Sequence, residues 1–313
     1  MCEKKISVVI ITYNQERFLA RAIESVIRQN VEFDYEVLIG DDCSTDNTAD
    51  IVRKYAELYP DKIVPVIRDK NLGMTGNEED LVKRTKGEYV AFLEGDDYWL
   101  SDDKLQKQVD FLDSHRDYVA VFSKCIFVDG EDNIIPDMEK WSVYTQKTGE
   151  YTIKDFQEYL LPGQTGTSVY RRKALESLQD IYREANIDIK DRVDIFQVLC
   201  ILSLGKMYII NDKLSAYRYM TCEGSNSWSS QNDVYSFKTL KNFIDGLKKL
   251  ERTACMLGFQ LDYDERRVYE LRKLYSDNSL LHEEVKKMNS LIKAGFNSKI
   301  KYWYAFCKLK IKR

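Results

Sequence analysis

Two histidines among 313 residues are too few for a zinc cluster built on imidazole or for a distributed Ser-His-Asp set. Both, His115 and His282, stand in helical, charged surroundings. No Gly-x-Gly-x-x-Gly follows a strand pattern and no Gly-x-x-x-x-Gly-Lys-Ser/Thr occurs, so dinucleotide and P-loop chemistries fall away. The run Asp41 to Asp46 lacks the glycine of a calcium loop. No stretch approaches the roughly 18 apolar residues of a membrane span. The first strand pattern begins by Ile6, which leaves no room for a signal peptide. The seven cysteines (Cys2, Cys43, Cys125, Cys200, Cys222, Cys255 and Cys307) are scattered without metal spacing, which predicts a reducing, cytoplasmic setting. Hydrophobic content of 44% and charged content of 31% describe a well-cored protein. Its length fits one α/β domain of about 220 residues and a smaller appendage.

The most informative stretch present is Leu93-Glu94-Gly95-Asp96-Asp97-Tyr98-Trp99, preceded by the apolar run Tyr89 to Phe92. A buried strand there delivers adjacent carboxylates at its carboxyl end, the edge where open α/β sheets bind ligands. Neighbouring acids repel unless a cation lies between them, and a divalent ion carrying a diphosphate suits that need; a solvated acidic turn is the other reading. The same third of the chain alternates strand and helix patterns. Ile6 to Ile11 is a strand ending in Thr12-Tyr13-Asn14, followed by helical spacing of Phe18, Leu19, Ala22, Ile23, Val26 and Ile27. Glu36 to Ile39 is a second strand, closed by Gly40-Asp41-Asp42-Cys43-Ser44-Thr45-Asp46. Any of Ser44, Thr45 or Asp46 can cap the next helix, with apolar positions Ala49, Ile51, Val52, Tyr55 and Leu58. Ile63 to Ile67 is a third strand, placed near an edge by Pro65. The alternation predicts a doubly wound, mainly parallel sheet with helices on both faces, and three polar loops on one edge imply one site.

These pieces together resemble the family-2 glycosyltransferases with the GT-A fold. The matching residues are Ser7 to Asn14, Asp41-Asp42-Cys43-Ser44-Thr45-Asp46, Asn71-Leu72-Gly73, and Gly87 to Asp97 with its DXD-like acids. The resemblance covers roughly residues 5 to 220, most clearly to about 115. It implies a nucleotide-binding half (1–115), an acceptor half (116–225), and inverting transfer of a sugar from a nucleoside-diphosphate donor, UDP favoured, to an acceptor hydroxyl. Asp97, with Asp96 on the metal or the donor ribose, would hold Mn2+ or Mg2+ against the departing diphosphate. Asp42 would read the base edge with Asp41 in support, while Thr12 and Asn14 add polar contacts. Tyr13 either borders the base or packs in the core.

Inversion needs a base for the acceptor proton. The family places it before an apolar helix, here Lys190 to Gly205, which points to Asp194 first and Asp191 in reserve; a plain helix cap is the other reading. Thr167 and Ser168 resemble the acceptor-side strand, facing the cleft. Leu214 to Arg218 resembles the last strand, and Arg218 either reaches the diphosphate or closes an ion pair. The family's histidine two positions on is Met220 here. Glu223 to Trp228 reads as a polar loop or a lid carrying Trp228 as an acceptor platform. The Gln-x-x-Arg-Trp signature of processive members is absent, which implies a single transfer per encounter. The glycine-rich loop of sugar-nucleotide pyrophosphorylases is missing as well, which disfavours nucleotidyl transfer.

From 226 to 313 the chain is helical in pattern, with a break at Gly258 to Asp262, and reads as an appendage that packs on the catalytic domain or forms a homodimer. The tail from Lys299 to Arg313 has six basic residues, four aromatics and no acid, against a net charge of −4 for the whole chain. That asymmetry suits peripheral docking on the anionic inner face of the plasma membrane, where a lipid-linked saccharide acceptor in surface-polysaccharide assembly would be held. A terminal helix packing its aromatics on the domain is the rival. The acidic balance and the lack of a groove-reading motif argue against nucleic acid as a partner. A catalytically silent GT-A module that binds a sugar nucleotide or a partner is the alternative function.

Overall fold

The structure is a computed structural model that describes residues 4–140, 142–189, 192, 194–220 and 237–267. The chain divides into two units, Met1–Thr221 and Cys222–Arg313. The first unit starts with three parallel strands separated by helices: β1 (Ile6–Thr12), α1 (Leu19–Ile27), β2 (Tyr35–Asp41), α2 (Thr48–Leu58), β3 (Ile63–Ile67) and α3 (Gly73–Arg84). Every residue of β1 and β2 is buried, the continuous apolar reading expected of strands covered on both faces. Next come β4 (Tyr89–Glu94), β5 (Tyr98–Trp99), α4 (Lys104–Ser114) and β6 (Tyr118–Val128). The remainder is β7 (Gly149–Tyr151), α5 (Ile153–Gln157), β8 (Ser168–Arg171), α6 (Arg172–Glu184), α7 (Asp194–Leu202) and β9 (Lys206–Arg218).

Among the described residues the strands form one sheet in the order β3-β2-β1-β4-β8-β6-β9-β5, with β7 also on β9. The strands from β3 to β4 are parallel, whereas β8 is antiparallel to both β4 and β6. Pro65 therefore lies on an edge strand, as its missing donor requires. The chain steps outward from β1 to β3 and then returns to β4 on the other side of β1. The β1/β4 boundary is thus the switch point, where a crevice opens outside the strand ends.

Helix α1 buries Leu19, Ala22, Ile23 and Val26 as its spacing predicts. In α2, Val52 and Tyr55 are buried, but Leu58 is 59% exposed because the helix ends there, beyond the sheet. The start of α2 is satisfied mainly from outside its own sequence. Asp46 Oδ1 accepts from the Thr48 amide at 3.0 Å, and Glu16 Oε2 accepts from the Asn47 amide at 2.9 Å. In return Asp46 Oδ2 accepts from the Glu16 amide at 3.1 Å and Thr48 Oγ1 from the Gln15 amide at 2.9 Å. The loops after β1 and β2 are laced into one rigid rim.

Helix α4 carries a buried cation. Lys104 has no exposed surface; its Nζ donates to Gln108 Oε1 at 2.6 Å and lies 4.4 Å from the Trp99 ring centre. Desolvation brings its pKa down from 10.5 to about 7. Between those values the unfolded lysine holds a proton that the folded one has released, so stability rises with pH across the window. Lys104→Met removes this dependence. The melting-temperature difference between variant and parent is expected to shift in the variant's favour as pH falls from about 10 to about 6. A difference that stays constant with pH in thermal melts would mean that Lys104 is not desolvated.

In the second unit, the helix Phe237–Met256 buries Ile244, Leu247, Leu250 and Ala254. It stops at Gly258, whose φ of +83° closes the helix end as glycine readily does. Arg267 pairs with Glu251 and with Asp264, and Tyr263 is buried. Among the described residues no helix is long and apolar enough to cross a membrane.

Candidate active site

Strand register brings the three polar loops together. Thr12 pairs with Asp41 across β1 and β2, and Ile11 with Glu94 across β1 and β4. Thr12 is buried and donates to Gln15 Oε1 at 2.9 Å. Asn14 adopts a left-handed φ of 52°, and its Oδ1 accepts from the Thr45 amide at 2.8 Å. Both residues thus act within the rim. Tyr13 is 40% exposed beside them, so the core-packing alternative for this ring fails.

Asp41 is buried and accepts from the Ser44 amide and hydroxyl. Asp42 is anchored through its amide to Thr12 O at 3.0 Å, and its Oδ1 accepts from the Leu72 amide at 2.8 Å. Its Oδ2 accepts no hydrogen bond among the described residues, and Arg68 Nε lies 4.0 Å from Oδ1. The Asn71-Leu72-Gly73 segment therefore serves as the brace that orients this carboxylate.

At the end of β4, ligand oxygens of Glu94, Asp96 and Asp97 lie within 4.8 Å of one another. Metal–oxygen bonds of about 2.1 Å put ligand oxygens at most about 4.2 Å apart, so these donors fit one small divalent ion after side-chain adjustment. Asp97 is 2% exposed, and internal donors take both of its oxygens. The Arg218 amide reaches Oδ1 at 2.7 Å and Gln164 Nε2 reaches Oδ2 at 2.7 Å. Glu94 and Asp96 are only half-buried, and the Gln15 side chain hydrogen-bonds Asp96. A Cβ on Gly95 would stand 2.5 Å from Gln15 Oε1 and 2.7 Å from Thr12 Oγ1, so this turn requires glycine.

Desolvation first, then like charge, raises these carboxyls. Asp97 is pushed well up by burial and by Asp96 and Glu94. Glu94 is pushed up by burial and by Asp96, Asp194 and Glu78. Asp96 is raised by desolvation, with Arg218 opposing. Such a set ionises fully only when a cation joins it.

Asp194 opens α7 and interacts electrostatically with this cluster. Asp194 is exposed at the surface, yet the protein packed around it raises the pKa of its carboxyl by desolvation. Glu78, on α3, is pushed to about 8 by burial and by Asp194 and Glu79. The Tyr144 and Tyr217 hydroxyls are raised, by desolvation first and also by Asp194 and Glu94, and their rings meet edge-on with centres 6.3 Å apart.

Two expectations change. Arg218 was a candidate for the diphosphate, yet it is 3% exposed and spent on protein. Its Nε donates to Asp96 O at 2.8 Å, one terminal nitrogen donates to Asp129 O and the other pairs with Asp132, both at 2.5 Å. The ion-pair alternative is the one found, and Arg218 fixes the acidic turn from behind. Thr167 and Ser168, expected to face the cleft, have no exposed surface. Their hydroxyls donate to Gln164 O at 2.6 Å and Thr165 O at 2.7 Å, because the segment before β8 is a tight 3-10 turn. Asp191 and Trp228, with the tail 299–313, lie outside the described residues. Glu78, Gln164 and Tyr144 carry no motif signal in the sequence, and Tyr217 stands in the Leu214 to Arg218 motif without an expected role. Only Glu94, two residues before Asp96, carried a spacing signal.

The molecule is an open α/β sheet with a braced carboxylate at one strand end and an acid cluster at its switch point, the edge where sheets of this kind bind ligands. Residues 7–179 match the profile of "Glycosyl transferase family 2". The chain belongs to this family. An uncharacterized glycosyltransferase of Nostoc is 32% identical over 241 residues, covering 76% of this chain and 71% of the relative. An uncharacterized Mycobacterium tuberculosis protein is 41% identical over 135 residues, 42% of this chain, and the chain spans only 39% of that relative's length. Among solved structures, Staphylococcus aureus TarS in complex with UDP-GlcNAc aligns with a TM-score of 0.59 at 20% identity, covering 97% of this chain and 80% of the other. A Pyrobaculum calidifontis mannosyltransferase in complex with GDP-Man and Mn2+ aligns at 0.53 and 17% identity, covering 78% and 63%. These likenesses establish the GT-A fold.

Proposed function

We propose that the chain is an inverting, metal-dependent glycosyltransferase that makes one transfer per encounter, from a nucleoside-diphosphate sugar to an acceptor hydroxyl, in surface-polysaccharide assembly. The observation that carries this reading is the acid cluster of Glu94, Asp96 and Asp97 at the β1/β4 switch point, within electrostatic range of Asp194. Asp42 and exposed Tyr13 supply an acceptor and a ring face for the base, and a UDP donor is favoured. Solved relatives of this fold hold UDP-GlcNAc in one case and GDP-Man with Mn2+ in another.

In this reading Asp96 and Glu94 are the main ligands for Mn2+ or Mg2+, with Asp97 as the anchored partner beneath them. The bound cation would neutralise charge developing on the departing diphosphate. Asp194 accepts the acceptor hydroxyl's proton as that oxygen attacks the anomeric carbon from the face opposite the leaving group. Gln15 and Arg218 hold Asp96 in place.

Thermal melts with a panel of nucleoside diphosphates, with and without Mn2+, test the reading. UDP at about 100 times its dissociation constant is expected to add about 2.7 kcal/mol, and only when metal is present. No shift with any nucleotide and metal would overturn it. A shift without sugar transfer to any acceptor would favour a binding module.

A further inference from the structure

The turn Gln164–Thr167 reaches the acid cluster from the far half of the sheet. Gln164 is 2% exposed, and its Nε2 donates to Glu94 Oε2 at 2.9 Å and to Asp97 Oδ2 at 2.7 Å. One amide nitrogen thus spans two carboxylates. Its orientation is fixed, because Oε1 accepts from the Gly166 amide at 2.6 Å and a flipped amide would put oxygen against both acids. The turn itself is held from below. Gly166 O accepts from Trp99 Nε1 and Ser215 Oγ, both at 2.9 Å, and Thr167 O accepts from Gln108 Nε2 at 2.9 Å. Gln108 is in turn held by Lys104.

Resting on the metal-dependent reading above, we propose that Gln164 is a positioning residue for the cation site, holding Glu94 and Asp97 at the spacing the ion requires. The residue type suits this task. A lysine or arginine there would neutralise the carboxylates and compete with the cation, while an apolar side chain would let them turn apart. A neutral amide with two N–H groups restrains both and leaves their charge for the ion. Partners that orient ligands in this way commonly govern affinity almost as strongly as the ligands themselves.

The test measures Mn2+ affinity of the full chain directly, from the electron paramagnetic resonance signal of unbound Mn2+, with and without UDP. Gln164→Met keeps the length and removes both hydrogen bonds. It is expected to weaken Mn2+ binding about 10- to 100-fold, to raise the Mn2+ concentration needed for half-maximal transfer, and to leave kcat largely recovered at saturating Mn2+. Gln164→Asn retains the amide but is one methylene too short to span both acids, so its affinity is expected to fall as well. A folded Gln164→Met protein that binds Mn2+ as tightly as the parent overturns the proposal. If that variant does not fold, parent-like affinity in Gln164→Asn overturns it instead. Absence of Mn2+ binding in the parent itself is the distinct signature that the underlying metal reading has failed.

Discussion

Asp194→Asn is expected to lower the rate of sugar transfer by about 10²- to 10⁴-fold, the usual contribution of a positioned general base, while metal-dependent UDP binding stays close to that of the parent. Asparagine fills the same volume and makes similar hydrogen bonds, but it cannot take up the acceptor's proton. A coupled assay of UDP release with acceptor reads the rate, and thermal melts with UDP and Mn2+ read the binding. Desolvation by the surrounding protein holds the Asp194 carboxyl above the range of an ordinary aspartate. The base works only when ionised. The acid limb of kcat/KM is therefore expected to fall at a pH above the usual aspartate range, with activity rising as pH increases through it. A variant that retains transfer within about tenfold would remove Asp194 from this role, and half-buried Glu78 would be tested next.

Asp96→Asn is expected to abolish metal-dependent nucleotide binding and to cut kcat/KM by about 10³-fold or more, equivalent to about 4 kcal/mol of lost transition-state stabilisation. Its effect on the metal-free fold is expected to have the opposite sign. Removing one of three crowded carboxylates relieves repulsion, so the melting temperature without metal should hold steady or rise. Asp97→Asn gives the contrast. Both Asp97 oxygens accept, from the Arg218 amide and from Gln164, whereas an asparagine offers one oxygen and turns its NH2 against the other donor, so the metal-free melting temperature is expected to fall. Melts of the two variants with and without Mn2+ separate these outcomes. If Asp96→Asn melts well below the parent without metal, Asp96 is a structural strut and the division of labour between the two acids is reversed.

Much of the part of the sheet from β1 to β4 is legible in the sequence, because its signals are local. The strands β1, β2 and β4 are continuous apolar runs, and each ends in polar residues that have no place in a buried strand. Pro65 marked an edge strand for the same local reason: a missing N–H is a property of the residue itself. The part from β6 to β9 is less legible. Arg218 and Thr167 look like site residues because charged and hydroxyl side chains near a strand end commonly are. Whether a guanidinium faces ligand or protein depends on what stands opposite, and here Asp129, Asp132 and Asp96 do. Gln164 had no signal of its own. It is 67 residues from Asp97 in sequence and meets it only because β8 runs antiparallel to β4 in the same sheet.

The sequence by itself determined the α/β alternation, the strand ends that carry acids, and the family, since each follows from residue type and spacing along the chain. Tertiary structure alone decided which acids look outward and which are tied down. Asp96 and Asp97 are adjacent and chemically identical, yet one is half-buried and the other has both oxygens bonded. That difference is created by partners from β9 and the turn before β8. A carboxylate's charge, orientation and availability to a cation are set by the donors and solvent around it, and those arrive from distant parts of the chain.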